Sequence, residues 1–460
     1  MSRHRQVYIV SAVRTPIGRF GGALAQFTQP DLGTIAVRAA LERALGVPLP
    51  AERKPGEFSS PPGDRHRDPG ELSQPSKAEP TESEGRNGLS FSGQAGGSKG
   101  FPWRVDEVIF GNARPAGVGP NPARQIAWRA GLGDDVPAFT VNMACASGLR
   151  AVVLGWQEIW TGQAQFVVAG GAESMSRVPY LVEARWGFKM GNQPLIDGMY
   201  RDGFLCPLSK MIMGETAELL AEQYQISRAE QDAFAVESHR RAARAAANCC
   251  FKSEIVPVEI SDQKTTATRI EKDEHVREDA SIEALAKLAP VFSKSGTVTP
   301  GNSSGITDGA AAVVLASEEK VRELDLKPIA RIVDAAMAAV DPRVMGIGPV
   351  PAVSRLRKRT GTKIEDYEAV ELNEAFAAQV IACDRELHFN PERLNPHGGA
   401  IALGHPIACS GARILTTLIH ELRQASGPAV RSASPRTGKR GLATLCVSGG
   451  MGVAIEIETV

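Results

Sequence analysis

Four short sequences that occur twice, in the same order along the chain, constrain the fold more than any other feature. The pairs are Ile9–Ala12 with Ile332–Ala335, Asp106–Asn112 with Tyr367–Asn373, Ser147–Arg150 with Ser410–Arg413, and Val167–Gly171 with Cys446–Gly450. The retained order indicates an internal duplication. Because strand-like and helix-like runs alternate in both halves, we expect an α/β fold with largely parallel strands. Two such halves placed against each other would bring the turn at Cys145 near its counterpart, residues 404–410.

Two segments interrupt the first half. Between residues 50 and 102 nearly half of the residues are Pro, Gly or Ser, and large apolar residues are few. This composition buries too little apolar surface to offset the entropy of ordering, so we expect a disordered insertion. Residues 181–295 mix loops rich in Met, Gly and Pro with helices such as Arg228–Asn248, and we expect a subdomain there. The halves would then be residues 1–318 and 319–460.

Local patterns predict individual elements. Apolar runs predict strands at Val7–Ala12, Val105–Gly111 and Gln165–Ala172. Helical periodicity predicts a helix over Asp31–Leu45, with Asp31 as its N-cap.

Charge and cysteine content limit the classes of function. Lys plus Arg and Asp plus Glu both number 52, so no overall field would attract nucleic acid or an anionic membrane. Seven cysteines without a C-x-x-C pair fit reduced thiols in a cytoplasmic protein better than zinc or disulfides. The first residues lack the apolar region of a signal peptide, and no apolar run is long enough to span a bilayer.

Cys145 lies where a strand-like run, Pro137–Val141, gives way to a helix-like run, Leu149–Ile159. At such a turn the positive end of the helix dipole and free backbone N–H groups favour the thiolate. Small neighbouring residues would let a substrate carbonyl approach. The alternative is a small structural cysteine, since free cysteine is among the most buried residue types.

The second half offers possible partners for this thiol. His405 follows a Gly-rich stretch and precedes a helix, where it could take a proton from Cys145 or could be a hydrogen-bonded structural histidine. Cys446 ends an apolar strand at a Gly-rich turn and could be reactive or a core residue. Asn373 could hold a water or a carbonyl, whereas Glu374 alone reads as a first-turn helix acid. The polar loop Thr299–Gly309 could line a pocket or form ordinary turns.

Together these motifs resemble those of the thiolase family. The resemblance rests on VNMACASG around Cys145, NEAFA at 373–377, GGAIALGHP at 398–406 and CVSGGMG at 446–452, in the family's order. Further matches are SAVRTPIGRFGG (11–22), GGAESMS (170–176), MGETAE (213–218) and GNSSGITDGAAA (301–312). The resemblance covers the chain outside residues 50–102. It implies two similar five-stranded α/β halves stacked as α-β-α-β-α, with residues 181–295 as a coenzyme A-binding loop domain.

The resemblance also implies a reaction, the reversible Claisen condensation of two acetyl-CoA to acetoacetyl-CoA and CoA. Cys145 would carry the acyl group, and His405 would deprotonate it. Cys446 would act as base and acid at the α-carbon of acetyl-CoA. Asn373 would hold a water that, with His405, stabilises the enolate oxygen. Backbone N–H groups of Cys145 and Ser448 would stabilise the tetrahedral intermediate.

Substrate contacts are implied in the same way. Ser304, Met213 and Phe376 match positions in the pantetheine channel and active-site motifs, and Arg277 matches a contact to the nucleotide end. Because CoA thioesters are substrates, no separate cofactor and no metal are expected. The expected partners are acetyl-CoA, acyl-CoA and CoA, with no nucleic acid or membrane, and the expected assembly is a homodimer or homotetramer.

Three departures from the family pattern qualify this interpretation. Ser448 stands where the family more often has Gly, which would cost strain if that residue needed a positive φ. Ala408 follows Ile407 where a Gly is usual, beside the expected base, and could narrow the site. The third departure is the insertion itself, which we expect to leave the chemistry intact.

Three alternative functions remain. A 3-ketoacyl-CoA thiolase of fatty-acid β-oxidation would use the same residues with a longer acyl pocket. A decarboxylating ketoacyl synthase shares the Cys turn but does not need Cys446. A non-catalytic acyl-CoA or sterol carrier on this fold predicts loss of a reactive residue, whereas all four are present.

Overall fold

The computed structural model describes residues 5–56, 103–260, 268–424 and 437–460. Residues 57–102, most of the expected insertion, lie outside the described residues, so their disorder remains a prediction. The strands are β1 (Val7–Arg14), β2 (Gly18–Arg19), β3 (Glu107–Gly111), β4 (Ala138–Val141), β5 (Phe166–Ser174), β6 (Tyr180–Leu181), β7 (Ile196–Asp197), β8 (Val258–Ile260), β9 (Thr268–Ile270), β10 (Thr307–Ser317), β11 (Ala330–Ala339), β12 (Ala369–Leu372), β13 (Arg440–Val447) and β14 (Met451–Thr459).

Helices follow most of the longer strands. They are α1 (Gln29–Leu45), α2 (Pro122–Arg129), α3 (Ser147–Thr161), α4 (Met213–Gln223), α5 (Arg228–Ala247), α6 (Ile282–Ala286), α7 (Glu318–Glu323), α8 (Pro349–Thr360), α9 (Ala377–Leu387), α10 (Ala400–Leu403) and α11 (Ile407–Arg423). No helix in the described ranges combines the length and the apolar character needed to cross a bilayer.

The main sheet has the same strand order in both halves. It runs β4-β3-β5-β10-β1 through the first half and continues as β11-β14-β13-β12 through the second. In the first half β3 pairs in parallel with β4 and β5, and in the second β12 pairs in parallel with β13. The second half departs from the expected five strands, because only a parallel bridge between Val370 and Leu394 stands where the first half has β4.

Alternating side chains create the five layers that the resemblance implies. On β5, Val167 and Ala169 face a central core that also contains α3, α11 and the inner face of β13 and β14. Phe166 and Val168, one residue out of phase, face α1 and α2 in an outer layer. The outer face of β12 packs on α8 and α9. The helix α11 is buried on all sides, as a middle layer between two sheets requires.

Two of the repeated sequences occupy equivalent positions. The strands β1 and β11 both carry an irregularity in pairing, between Ile9 and Ser11 and between Ile332 and Asp334, at the predicted equivalent residues. A shared bulge supports the duplication. The helices α3 and α11 cross where both carry a glycine, as predicted from Ser147–Arg150 and Ser410–Arg413: a Cβ on Gly148 would lie 2.5 Å from the Ala408 oxygen, and one on Gly411 would lie 2.7 Å from Leu149.

The other two repeats are out of register. Ile109 faces the central core, but its expected counterpart Val370 faces the outer layer, so that alignment is wrong by one residue. Gly170 and Gly171 lie inside β5, whereas Gly449 and Gly450 form the turn after β13. Sequence likeness therefore aligned glycines that have different structural roles.

One helix start differs from the prediction. The N-cap of α1 is Thr28, and Asp31 instead occupies the third helical position. The Thr28 hydroxyl accepts the Asp31 N–H, and the Asp31 carboxylate accepts the Thr28 N–H at 2.8 Å. Pro30, which needs no N–H partner in the first turn, is compatible with this earlier start.

Candidate active site

The ends of the parallel strands bring the predicted residues toward the contact between the two halves. Cys145 follows β4, Asn373 follows β12 and Cys446 lies at the end of β13. His405 lies directly before α11, which packs on the Cys145 turn. Crevices at the carboxyl ends of parallel strands are the usual location of α/β binding sites.

Cys145 occupies a strained turn. Residues Ala144–Ala146 form one 3-10 turn, and Ala144 has a φ of 44°, which is rare for a residue with a side chain. The Ser147 hydroxyl accepts the Met143 N–H at 2.9 Å and donates to the Ala144 carbonyl at 2.7 Å. These bonds hold the turn in the strained geometry, with the half-buried thiol at the start of α3.

The thiol of Cys145 is harder to ionise than its position at a helix start predicts. Burial raises its pKa above the ordinary value, against the lowering effects of the nearby Ser448 backbone N–H and of the Arg114 charge. The expected help from backbone N–H groups is therefore present but is outweighed by desolvation. The thiol thus needs a base.

His405 has the arrangement of a neutral base. The Ser410 hydroxyl donates to the Pro406 carbonyl at 3.0 Å, which leaves its oxygen to accept Nδ1–H of His405 at 2.5 Å. Nε2 is then the unprotonated nitrogen, and this buried atom has no hydrogen-bond partner among the described residues. Burial, followed by the charges of Arg413 and Arg114, lowers the pKa of His405 to about 3.

Cys446 is a buried thiol near Cys145. It packs in a cluster with Met345, Ala375 and Phe376, against which Met213 also packs. Burial raises its pKa well above the ordinary value, and negative charge on Cys145 raises it further. The Cys145 turn contacts β13, the strand that carries Cys446, so the two thiols lie in neighbouring elements.

Asn373 is buried with both amide atoms free. Its backbone N–H donates to the Thr444 carbonyl at 3.0 Å, which fixes the residue at the end of β12. Neither Oδ1 nor Nδ2 has a partner in the described part of the chain. Since buried polar groups are nearly always hydrogen-bonded, this amide is available to a water or a substrate atom.

The loop that contains Ser304 connects these groups. The Ser304 N–H donates to the Ala375 carbonyl at 3.0 Å, and the His405 N–H donates to the Gly305 carbonyl at 3.0 Å. Of the predicted residues, Phe376 and Met213 therefore pack in the apolar cluster around Cys446, and Ser304 is hydrogen-bonded to Ala375 of the same cluster. Arg277 lies apart, on the surface, where its backbone N–H donates to Nδ1 of His239.

The departures at the glycine-rich turn and at α11 cause no backbone strain. The positive φ values of the turn belong to Gly449 and Gly450, while Ser448 keeps an ordinary φ. Ala408 fits within the first turn of α11, where its N–H donates to the Glu173 carboxylate at 3.1 Å and its side chain packs in the apolar cluster around Cys145.

Sequence reasoning missed several groups near the site. Glu173 and Arg114 are buried beside the Cys145 turn, and Ser410 orients His405. Phe292 packs edge-on against Phe376 at 6.3 Å between ring centroids. Ser410 could have been found as a hydroxyl one helical turn from His405. No group of three or more His, Cys, Asp or Glu residues in the described ranges is arranged to hold a metal ion.

Comparisons with known proteins identify the family. Family models described as "Thiolase, N-terminal domain" and "Thiolase, C-terminal domain" match residues 7–50 with 101–319, and residues 326–459. A probable acetyl-CoA acyltransferase of Staphylococcus aureus is 43% identical over 454 residues, covering 98% of this chain and 99% of the relative.

Solved structures are similar over the same length. The Bacillus anthracis acetyl-CoA acetyltransferase has a TM-score of 0.83 and 37% identity, with 100% of both chains covered. Human mitochondrial 3-ketoacyl-CoA thiolase in complex with CoA has a TM-score of 0.81 and 36% identity, covering 99% of this chain and 98% of that one. The chain belongs to the thiolase family of acyltransferases.

Proposed function

We propose that this thiolase is an acetyl-CoA C-acetyltransferase that joins two acetyl-CoA into acetoacetyl-CoA and CoA, reversibly, through an acyl-Cys145 intermediate. The observation that carries the proposal is the set of unpartnered groups around two neighbouring thiols: His405 Nε2 and both amide atoms of Asn373 are buried without partners in the described chain. A complete set of nucleophile, base and oxyanion donors is typical of an active site and not of a carrier protein.

In the first half-reaction, Cys145 attacks the thioester carbonyl of acetyl-CoA. His405 accepts the thiol proton on Nε2 and returns it to the departing CoA sulfur. The negative oxygen of the tetrahedral intermediate is stabilised by the backbone N–H groups of Cys145 and Ser448, both of which also lower the pKa of the Cys145 thiol.

In the second half-reaction, Cys446 removes a proton from the α-carbon of another acetyl-CoA. Burial and the nearby Cys145 both raise the pKa of Cys446 in the free enzyme. Acylation of Cys145 prevents that residue from carrying a charge, so Cys446 becomes easier to ionise when its thiolate is needed. The carbanion attacks the acyl carbonyl, Cys145 leaves as a thiolate, and this thiolate takes up the proton that Cys446 removed from the α-carbon, so the pair again consists of one thiol and one thiolate.

Asn373 serves the enolate that this proton removal creates. Its free amide holds a water that donates a hydrogen bond to the enolate oxygen, and His405 donates a second one when its Nε2 carries a proton. Ser304, Phe376 and Met213 lie close to the apolar cluster around Cys446 and would line the pantetheine channel. Arg277 would contact the nucleotide end from the surface.

The surroundings of Cys145 favour a small acyl group. Buried side chains that include Met175, Met199, Ile407 and Ala408 pack around the sulfur. The alternative, a 3-ketoacyl-CoA thiolase with broader chain length, is supported by the similar human structure and by Met199, because methionines adapt to different ligand shapes. From Met199 the lining continues to half-exposed Phe204.

Thiolysis rates over a chain-length series test this proposal. We expect kcat/KM to be highest for acetoacetyl-CoA and to fall for 3-ketoacyl-CoA substrates with longer chains. A clear preference for a long chain would replace the proposal with the β-oxidation alternative and place the enzyme in fatty-acid metabolism. A Cys145→Ala variant, which lacks the nucleophile, is the control for background hydrolysis.

We also propose that the enzyme is a cytoplasmic homodimer or homotetramer. All seven cysteines are free thiols, which suits a reducing compartment. Large apolar side chains are exposed in the segment around β6 and β7, among them Tyr180, Trp186 and Met190. Such a patch favours burial against another copy of the chain. Light scattering of the wild type and of Trp186→Glu tests this, since a monomeric wild type would contradict it.

A further inference from the structure

Glu173 is a buried carboxylate whose two oxygens accept four N–H groups. Oε1 accepts from Asn112 Nδ2 at 2.8 Å and from the Arg114 backbone at 3.1 Å. Oε2 accepts from the Ala113 backbone at 3.0 Å and from the Ala408 backbone at 3.1 Å. The side chain is only 1% exposed, so water does not replace these donors. A carboxylate with this many donors is a rigid connection between the groups that supply them.

The four donors come from both halves of the molecule. Three belong to the loop after β3, beside the Cys145 turn. The fourth, Ala408, lies in the first turn of α11, where N–H groups have no partner within the helix. Ala408 follows His405 by three residues, and its side chain packs in the cluster that contacts Cys145. One carboxylate therefore connects the loop after β3, which lies beside the Cys145 turn, to the helix that directly follows the proposed base.

The backbone is shaped for this connection. A Cβ on Gly171, two residues before Glu173, would lie 2.0 Å from the Ala408 oxygen. Any side chain there would push the start of α11 away from β5. The first turn of α11 thus approaches β5 closely for two reasons: Gly171 has no side chain, and Ala408 donates a hydrogen bond to Glu173.

Electrostatics show that Glu173 does not activate the thiol. The charge of Arg114 acts on Glu173, and the charge of Glu173 acts on Cys145 and Cys409. Burial raises the pKa of Glu173 to about 7, although Arg114 and the N–H donors favour its ionised form. After burial itself, negative charge on Glu173 is one of the causes that raise the pKa of Cys145. Glu173 must therefore contribute by holding other groups in position.

We propose that Glu173 is a positioning residue that holds the start of α11, and with it His405, against the Cys145 turn through its hydrogen bonds to both halves. This inference rests on the proposed roles of Cys145 and His405.

The variant Glu173→Gln separates geometry from charge. The side chain keeps its size, but one carboxylate oxygen becomes an NH₂ group, which cannot accept the N–H groups that donate to Glu173. We expect kcat for acetoacetyl-CoA thiolysis to fall at least about tenfold, with KM changed less, as for a displaced catalytic group. We also expect the pH midpoint for iodoacetamide labelling of Cys145, read by peptide mass spectrometry, to move down, because a negative charge has been removed.

Two further variants complete the test. Glu173→Asp keeps the charge but shortens the reach, so kcat should fall while the labelling midpoint stays near that of the wild type. Asp308→Asn removes another buried carboxylate, which accepts from the Ser176 backbone and hydroxyl. It should lower the melting temperature without moving the Cys145 labelling midpoint.

The outcomes are distinct. A wild-type kcat in folded Glu173→Gln or Glu173→Asp overturns the positioning role. A loss of rate that matches the loss of folded protein, with an unmoved labelling midpoint in Glu173→Gln, shows a purely structural residue and also overturns it. If Glu173→Gln does not fold, Glu173→Asp carries the kcat test. If wild-type enzyme does not cleave acetoacetyl-CoA, the proposed function fails, and that result appears before any variant is made.

Discussion

The two halves share a strand order but complete their hydrogen bonds differently. In the first half, Asn112 at the end of β3 donates to Glu173, and Glu173 is surrounded by backbone N–H groups. In the second half, Asn373 at the end of β12 has a free amide, and His405 Nε2 is also free. The first half also contains unpartnered buried atoms, Asn112 Oδ1 among them, but Asn112 is held through its Nδ2, whereas both amide atoms of Asn373 are open to a ligand.

The same contrast extends to the connections between strands. In the first half, β5 and β10 are separated by a long segment that contains β6–β9 and α4–α6. In the second half, the corresponding strands β13 and β14 are joined by the tight turn at Ser448–Gly450. That turn is short enough to bring the Ser448 N–H to Cys145. A duplicated fold can therefore carry a long inserted segment in one half and a tight turn at the equivalent connection of the other half.

The strongest way to break the comparison is to remove the first half's nucleophile. Cys145→Ala should lower kcat for acetoacetyl-CoA thiolysis by roughly 10³-fold or more, because no acyl-enzyme can form. Cys249→Ser, at an exposed cysteine, is the matched control and should keep wild-type activity. Full activity of Cys145→Ala, measured by loss of acetoacetyl-CoA absorbance, would remove this residue from the mechanism.

The two asparagines give the most direct test. Asn373→Ala should lower kcat by roughly 10²-fold, the effect of losing an oxyanion group, with an unchanged or higher melting temperature because no hydrogen bond is lost. Asn112→Ala takes a donor from Glu173 and should cost about 1–3 kcal/mol of unfolding free energy, with a smaller loss of rate. Urea unfolding and steady-state kinetics of both variants measure the contrast. Equal effects of both on stability and rate would contradict it.

Most of the fold and the four central residues follow from the sequence because they depend on local patterns. Apolar runs predicted the strands, and the bulges in β1 and β11 lie at residues that the repeat aligns with each other. Strand register did not follow, since Ile109 and Val370 resemble each other in sequence but face opposite sides. Only the pleat and the pairing partners decide that orientation.

The missed residues depend on contacts between distant parts of the chain. Glu173 meets Ala408 across 235 positions, and nothing near Glu173 in sequence predicts that contact. The pKa of Cys145 was also misjudged, because a helix start is visible in a sequence but the burial that opposes its effect is not. Sequence motifs thus point to candidate reacting groups, whereas the groups that contact them across the fold become visible only in the structure.

Substitutions where α3 and α11 cross compare the two halves through smaller expected effects. Gly148→Ala and Gly411→Ala should each destabilise the fold by about 1–3 kcal/mol, because both put a Cβ into the contact between α3 and α11. Gly148→Ala should also reduce kcat, since its clash is with the Ala408 carbonyl in the turn that Glu173 holds. Gly411→Ala meets Leu149 instead and should lose less rate. Denaturant unfolding with kinetics checks both, and a larger rate loss in Gly411→Ala would count against the expected order.

The smallest expected effects concern pH, where the two halves should respond with opposite sign. His405 has a pKa of about 3 in the folded protein and about 6.5 when unfolded. The unfolded chain therefore binds the proton more strongly between these values, and this residue costs stability as pH falls from 6.5 toward 3. Glu173 has a folded pKa of about 7 and an unfolded value of about 4.3, so it costs stability as pH rises through that interval.

Differences between variants and the wild type isolate these two contributions, because other buried groups cancel. The melting temperature of His405→Asn relative to the wild type should rise as pH falls from 7 to 5. That of Glu173→Gln relative to the wild type should rise as pH increases from 5 to 8. Scanning fluorimetry over this range measures both slopes. If the two slopes had the same sign, burial would not hold His405 neutral and Glu173 partly protonated, and the electrostatic contrast between the halves would be wrong.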